Sequence, residues 1–90
     1  MRKFGKVDSN HGEIVEGLRR VGATVQSIAS VGGGCPDIVV GFRRRNYLFE
    51  IKPSDKSHLT EDEADWHRDW LGMVDVIYCL EDALHIIGFR

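Results

Sequence analysis

The chain has 90 residues, 42% hydrophobic and 29% charged, enough for one core and too few for two. Twelve basic side chains against fourteen acidic ones give a formal net charge of −2, so the basic field usual in nucleic-acid binders is absent from the molecule as a whole. Disorder is not expected at this apolar content, and no apolar run approaches the ~20 residues of a membrane span.

Residues 1–7 read as a basic tail with no apolar stretch behind it, unlike a secretory signal. Residues 8–90 read as one domain. Asp8, Ser9 or Asn10 can cap a helix that runs to about Val21, and Gly22 can end it in a left-handed turn. Thr24–Ser30 is rich in β-branched residues and reads as a strand. Gly32-Gly33-Gly34-Cys35-Pro36 must be irregular. Asp37–Phe42 and Tyr47–Lys52 read as two strands joined by Arg43-Arg44-Arg45-Asn46 as a hairpin turn. Thr60 and Glu63 form a capping box for a helix to about Leu71. Val74–Cys79, almost wholly apolar, reads as a strand buried on both faces. Glu81–Ile87 closes the chain as a helix stopped by Gly88. The order α-β-β-β-α-β-α predicts an α/β domain: a small mixed sheet flanked by helices.

The chemistry follows from strand periodicity. Glu50 and Lys52 share one strand face, Phe49 and Ile51 the other. Hairpin pairing brings Asp37, at the start of its strand, beside Lys52 at the end of the next. Two carboxylates and an ammonium then converge at one sheet edge, which is costly unless they are paired or metal-bound. Such an oxygen-rich set suits a hard divalent cation such as Mg²⁺. Lys52 beside it could orient or deprotonate an attacking water, or steady negative charge in the transition state. The plainer alternative is a buried Glu50–Lys52 salt bridge. Glu63, Trp66, His67 and Trp70 share a helix face. Glu63 either reaches the site or only completes its capping box. Glu13 borders the Ile14/Leu18/Val21 stripe, as does Asn10, whereas Glu16 lies opposite; Glu13 is therefore the better candidate to reach the site.

Gly34-Cys35-Pro36-Asp37 and Glu50-Ile51-Lys52 resemble the two motifs of the VRR-NUC (virus-type replication-repair nuclease) domain, within the PD-(D/E)XK nuclease superfamily. Leu59-Thr60-Glu61-Asp62-Glu63 with Trp66-His67 resembles the segment that follows in such domains. The likeness runs from about Asp8 to Phe89, and stand-alone domains of this size look like phage or prophage proteins. It implies a restriction-endonuclease-like fold and a DNA endonuclease that hydrolyses phosphodiester bonds. Asp37, Glu50 and the main-chain carbonyl of Ile51 would hold Mg²⁺ or Mn²⁺, Glu13 would bind it directly or through water, and Lys52 would position the nucleophilic water. Glu63 and Asn10 would stand behind this set. The similarity to Holliday junction resolvases implies a homodimer on branched DNA, acting in the cytoplasm of a bacterial host. Flap, nicking or non-specific cleavage, or DNA binding without cleavage, are the alternatives.

Arg43, Arg44 and Arg45 are either a solvated hairpin tip or phosphate contacts that restore a local positive field. Gly33 and Gly34 are read as a bend that lets the DNA backbone approach the metal; no Gly-Lys-Ser/Thr follows to make a phosphate cradle. Trp66 and Trp70 read as core residues, or else as part of a dimer interface. The histidines and the two cysteines lack close-paired zinc-ligand spacing, and Cys35 and Cys79 read as reduced thiols.

Overall fold

The computed structural model describes the backbone of residues 4–89 and the side chains of residues 10–89. Helix α1 spans Phe4–Arg20, strands β1 Thr24–Ser27, β2 Ile38–Phe42 and β3 Arg45–Ile51, helix α2 Glu61–Asp69, strand β4 Asp75–Ile77 and helix α3 Leu80–Ile87. This is the expected order. A single helical turn, Ala29–Val31, is interposed before the glycine loop. The sheet runs β1-β2-β3-β4, antiparallel across the first three strands and parallel between β3 and β4.

Opposed residues of an antiparallel pair lie on one face. Ile38 faces Phe49 and Val40 faces Tyr47, and all four are buried. Ile51, paired with Ile77, continues that face. Against it pack Ile14 and Leu18 of α1 and Ala83 and Ile87 of α3, which complete the hydrophobic core. Gly17 allows α1 and α3 to approach, because a Cβ there would collide with the Leu80 side chain. The opposite face carries Glu50 and Lys52, and Lys52 reaches Glu63 of α2, so α2 lies on that side.

The ends of elements differ from expectation for local reasons. Residues 4–7 belong to α1 and not to a loose tail; Asp8, Ser9 and Asn10 sit inside the helix because the chain does not turn there. Residues 1–3 of the expected tail, and Arg90, lie outside the described residues. Gly22 does end the helix, at φ +99°, with Gly22 N–H donating to the Arg19 carbonyl. β1 stops at Ser27 because Ile28, whose N–H still donates in register to the Asp37 carbonyl, has ψ 13° and leads into the helical turn Ala29–Val31. The hairpin turn is only Arg43-Arg44; Arg45 and Asn46 are already paired in β3. Both turn residues have positive φ, the geometry that matches a two-residue turn to the twist of its strands.

β4 is three residues long and lies at the sheet edge, so only Ile77 is fully buried, and Asp75 and Val76 are half-covered. Helix α2 ends at Asp69 and buries no residue. Trp66 and Trp70 are therefore not core residues. They stack on each other with centroids 4.5 Å apart, and Trp70 is 46% exposed. Their burial was expected from residue type, but the core lies on the other face of the sheet. Gly88 caps α3 in the left-handed region, as expected.

Candidate active site

The site forms where β2 begins and β3 ends. Asp37 is fixed through its main chain on two sides: its N–H donates to the Phe49 carbonyl and its carbonyl accepts from Ile28 N–H. Its carboxylate then caps the open edge of β3, Oδ2 accepting the Ile51 N–H at 2.7 Å. A strand residue directs its N–H and C=O to the same edge, so the Ile51 carbonyl faces the Asp37 side as well. Glu50 follows Phe49, whose carbonyl accepts the Asp37 N–H, and Asp37 and Glu50 line one cleft.

Glu50 is 3% exposed and the only buried charged residue among those described. Its carboxyl is pushed up to about 8, by burial first and then by the neighbouring charges of Asp37 and Glu63, with Lys52 working in the opposite direction. Oε2 lies 3.6 Å from Lys52 Nζ, whereas Oε1 is buried with no hydrogen-bond partner among the described residues. Lys52 Nζ donates to Glu63 Oε1 at 2.8 Å. Burial by itself would lower the lysine, but the hydrogen bond and charge of Glu63, with Glu50 added, hold it above its ordinary value. Burial likewise opposes ionisation of Glu63, but the Lys52 hydrogen bond and the Thr60 backbone N–H outweigh it and the carboxyl is lowered. Lys52 therefore remains an ammonium at neutral pH. Such a group orients and stabilises; it does not take a proton.

These residues line a cleft of about 360 Å³ together with Asn10, His11 and Pro53. Asn10 Nδ2 donates to the Lys52 carbonyl at 3.2 Å and ties α1 to the strand exit. Glu63 does both of the things weighed from its position: Oε1 accepts from Lys52 Nζ and from Thr60 N–H, so the capping box and the site share one oxygen.

Other expected site residues are placed elsewhere. Glu13 is exposed and lines a neighbouring groove with Glu16, Arg20 and Glu81, not the cleft. Asn10 and His11 are the α1 residues at Asp37's end of the sheet; Asn10 borders both grooves, and Glu13, nearly one turn further along the helix axis, lines only the second. Arg43, Arg44 and Arg45 stand at the far end of β2, about 20 Å from Asp37 by strand rise. Arg43 is spent structurally: its Nη1 donates to the Gly88 carbonyl and its guanidinium lies 4.8 Å over the Phe42 ring. Gly34 gives close approach to α2: a Cβ there would collide with the Asp62 carbonyl. Gly33 lines a groove with Asp62, Asp65 and Asp69, an acidic wall unsuited to phosphate. His11, by contrast, was not singled out from the sequence. A lone histidine in a polar helix start carries no spacing signal, and only the fold brings it to the cleft.

The donor set fits a hard divalent cation. Among the described residues no three His, Cys, Asp or Glu side chains gather as a metal-binding group. Asp37, the unpartnered Glu50 oxygen and the Ile51 carbonyl would nevertheless offer a cation oxygen donors alone, the partial ligand set that suits an ion keeping several waters. Cys35 sits close enough to be raised, by burial first and then by Glu50 and Asp37, so its thiol stays protonated and is a poor nucleophile.

An open mixed sheet with a Pro-Asp turn, a Glu-x-Lys strand and helices on both faces defines an α/β domain of the restriction-endonuclease-like kind. Along its full length the chain is similar to a solved structure described as a VRR_NUC domain: TM-score 0.67, 19% identity, covering 100% of this chain and 99% of that one. That likeness shows the VRR-NUC fold. No family model and no curated protein matches the chain.

Proposed function

We propose that this protein is a divalent-metal-dependent DNA endonuclease of the PD-(D/E)XK type. The observation that carries the reading is the unpartnered, buried Glu50 oxygen beside Asp37, with Lys52 held by a carboxylate on its far side. An ordinary structural salt bridge would leave no such atom, because buried polar groups are costly without partners.

Asp37, Glu50 and the Ile51 carbonyl would hold Mg²⁺ or Mn²⁺, which supplies charge neutralisation on the scissile phosphate and a more acidic water. Lys52, fixed by Glu63, orients that water and opposes the charge that develops on phosphate. Asn10 holds the strand exit from which Lys52 projects. Glu13, one groove away, is placed to act only through water or on the substrate.

Arg44 and Arg45 are exposed and are left to meet phosphate. A duplex touching both them and the cleft would run about 20 Å along the protein, some six base steps at 3.4 Å each. Branched DNA cut by a homodimer follows if two strands are cut symmetrically, because a two-fold axis places equal sites on equal phosphates. Cys35 and Cys79 are both free thiols, which suits the reducing cytoplasm of a host cell.

The test is cleavage of a four-way junction, a flap and a linear duplex at equal concentration, with Mg²⁺, with Mn²⁺ and with EDTA. Metal-dependent cutting that favours the junction is expected. Equal cutting of all three would reduce the reading to a non-specific nuclease. Binding without cutting in every metal would leave a DNA-binding protein on a nuclease fold.

A further inference from the structure

Helix α2 carries Glu63 to Lys52 yet buries none of its own residues, so packing alone does not fix where it sits. Its N-terminal turn is met by the glycine loop. At Gly34 a Cβ would lie 2.9 Å from the Glu63 nitrogen and would collide with the Asp62 carbonyl. Gly34 also has φ +88°. Three residues later the same loop becomes Asp37, whose N–H donates to the Phe49 carbonyl of β3 and whose C=O accepts from Ile28, just past β1. Pro36 between them is fully buried and rigid. The loop is therefore a short strut with one end set in the sheet beside Asp37 and the other seated against the backbone that presents Glu63.

We infer that Gly34 is a positioning residue for the site: its missing side chain lets α2 dock at the distance from β3 that puts Glu63 on Lys52. This rests on the nuclease reading of the cleft and adds how the spacing between Asp37 and the lysine's anchor is set. A methyl group at Gly34 pushes α2 outward, lengthens the Lys52–Glu63 contact and frees the ammonium to turn toward Glu50. Gly33 provides a control for the space a side chain needs. It too has positive φ, +66° against +88° at Gly34, so alanine there also carries backbone strain, but a Cβ meets nothing within 4 Å among the described residues.

The experiment compares Gly33→Ala and Gly34→Ala in the full chain. In wild-type protein, the Gly34 α-protons give a nuclear Overhauser contact to the Glu63 amide. The Thr60 amide, which donates to Glu63 Oε1, is slow to exchange with solvent. Gly33→Ala keeps the Thr60 protection and cuts within about two-fold of wild type, whereas Gly34→Ala loses the protection and its kcat falls about ten-fold or more with KM nearly unchanged. In a Glu63→Gln background Gly34→Ala costs little further, because the two act through one contact.

If Gly34→Ala does not fold, a single glycine inserted after Gly33 slackens the strut without adding a side chain, and the same loss of kcat and Thr60 protection is expected. Gly34→Ala, or the insertion in its place, matching Gly33→Ala in both readouts overturns the inference, as does absence of the Gly34–Glu63 contact in wild type. Failure of wild-type protein to cut any DNA defeats the nuclease reading alone, and the magnetic-resonance readouts then decide the positioning separately.

Discussion

Lys52 and Glu63 meet at 2.8 Å across the space between the end of β3 and the start of α2. The same Glu63 oxygen accepts the Thr60 N–H at 2.9 Å, so the anchor of the lysine is also the cap of its helix. A carboxylate shared in this way is held in one rotamer before any substrate arrives. On the other side of the ammonium, Glu50 is 3.6 Å away and keeps its second oxygen free. The lysine is thereby steered off the oxygen that a cation would need.

Lys52→Ala is expected to lower cleavage by about 10²-fold or more, because a preorganised charge is lost where negative charge develops. Folding should survive, since Glu63 retains its cap through Thr60. Cleavage at close to the wild-type rate by this variant, with an unchanged melting curve, would remove the lysine from the proposed chemistry.

Glu50 gives a pH prediction with a definite sign. Its folded-state value, about 8, lies above its ordinary 4.5. Between these values the folded chain holds a proton that the unfolded chain has released, so stability from this group is full at low pH and is lost as pH rises toward 8. Glu50→Gln removes that penalty and should raise Tm in metal-free buffer at pH 8.5, with little change at pH 5. A variant less stable than wild type at pH 8.5 would contradict the assignment of a costly buried carboxylate.

A cation held by Glu50 would compete for the same oxygen as the proton. Mn²⁺ affinity measured by calorimetry should therefore strengthen from pH 6.5 to pH 8.5, with a proton released into buffer on binding. Asp37→Asn is expected to weaken Mn²⁺ binding about ten-fold or more while keeping the Ile51 N–H satisfied by its amide oxygen. The same titration curve at both pH values, or in wild type and variant alike, would place the metal elsewhere.

Arg44 and Arg45 should act through phosphate. Replacing both with alanine is expected to weaken DNA binding and to reduce the slope of log affinity against log salt by about 1 to 2. Arg43→Ala should instead cost stability, because it releases the Gly88 carbonyl and the Phe42 ring. A double variant with an unaltered salt slope would make the hairpin tip a bystander.

Periodicity and punctuation in the chain were enough for the element order. The Thr60–Glu63 box, the Gly22 and Gly88 stops and the alternation of Phe49, Glu50, Ile51 and Lys52 are local signals, set by hydrogen bonding and side-chain geometry within a few residues. The meeting of Asp37 with the Glu50–Lys52 end of β3 was legible because a hairpin fixes register to within a residue or two, although the turn is only Arg43-Arg44 and not Arg43–Asn46. Helix faces deceived where the partner was unknown. Glu13 bordered the apolar stripe, yet rotation about α1 gave the cleft to Asn10 and His11. Trp66 and Trp70 are large and apolar, yet α2 lies away from the core.

The sequence by itself determined which segments become helix or strand and which charged residues share a strand face, because those outcomes depend on neighbours a few positions away. Only the tertiary structure decided that Glu63 anchors Lys52, that Gly34 packs against the start of α2, and that Asn10 and His11, not Glu13, line the cleft. Those facts depend on how α1, α2 and the glycine loop dock on the sheet, and docking is settled by contacts between residues far apart in the chain.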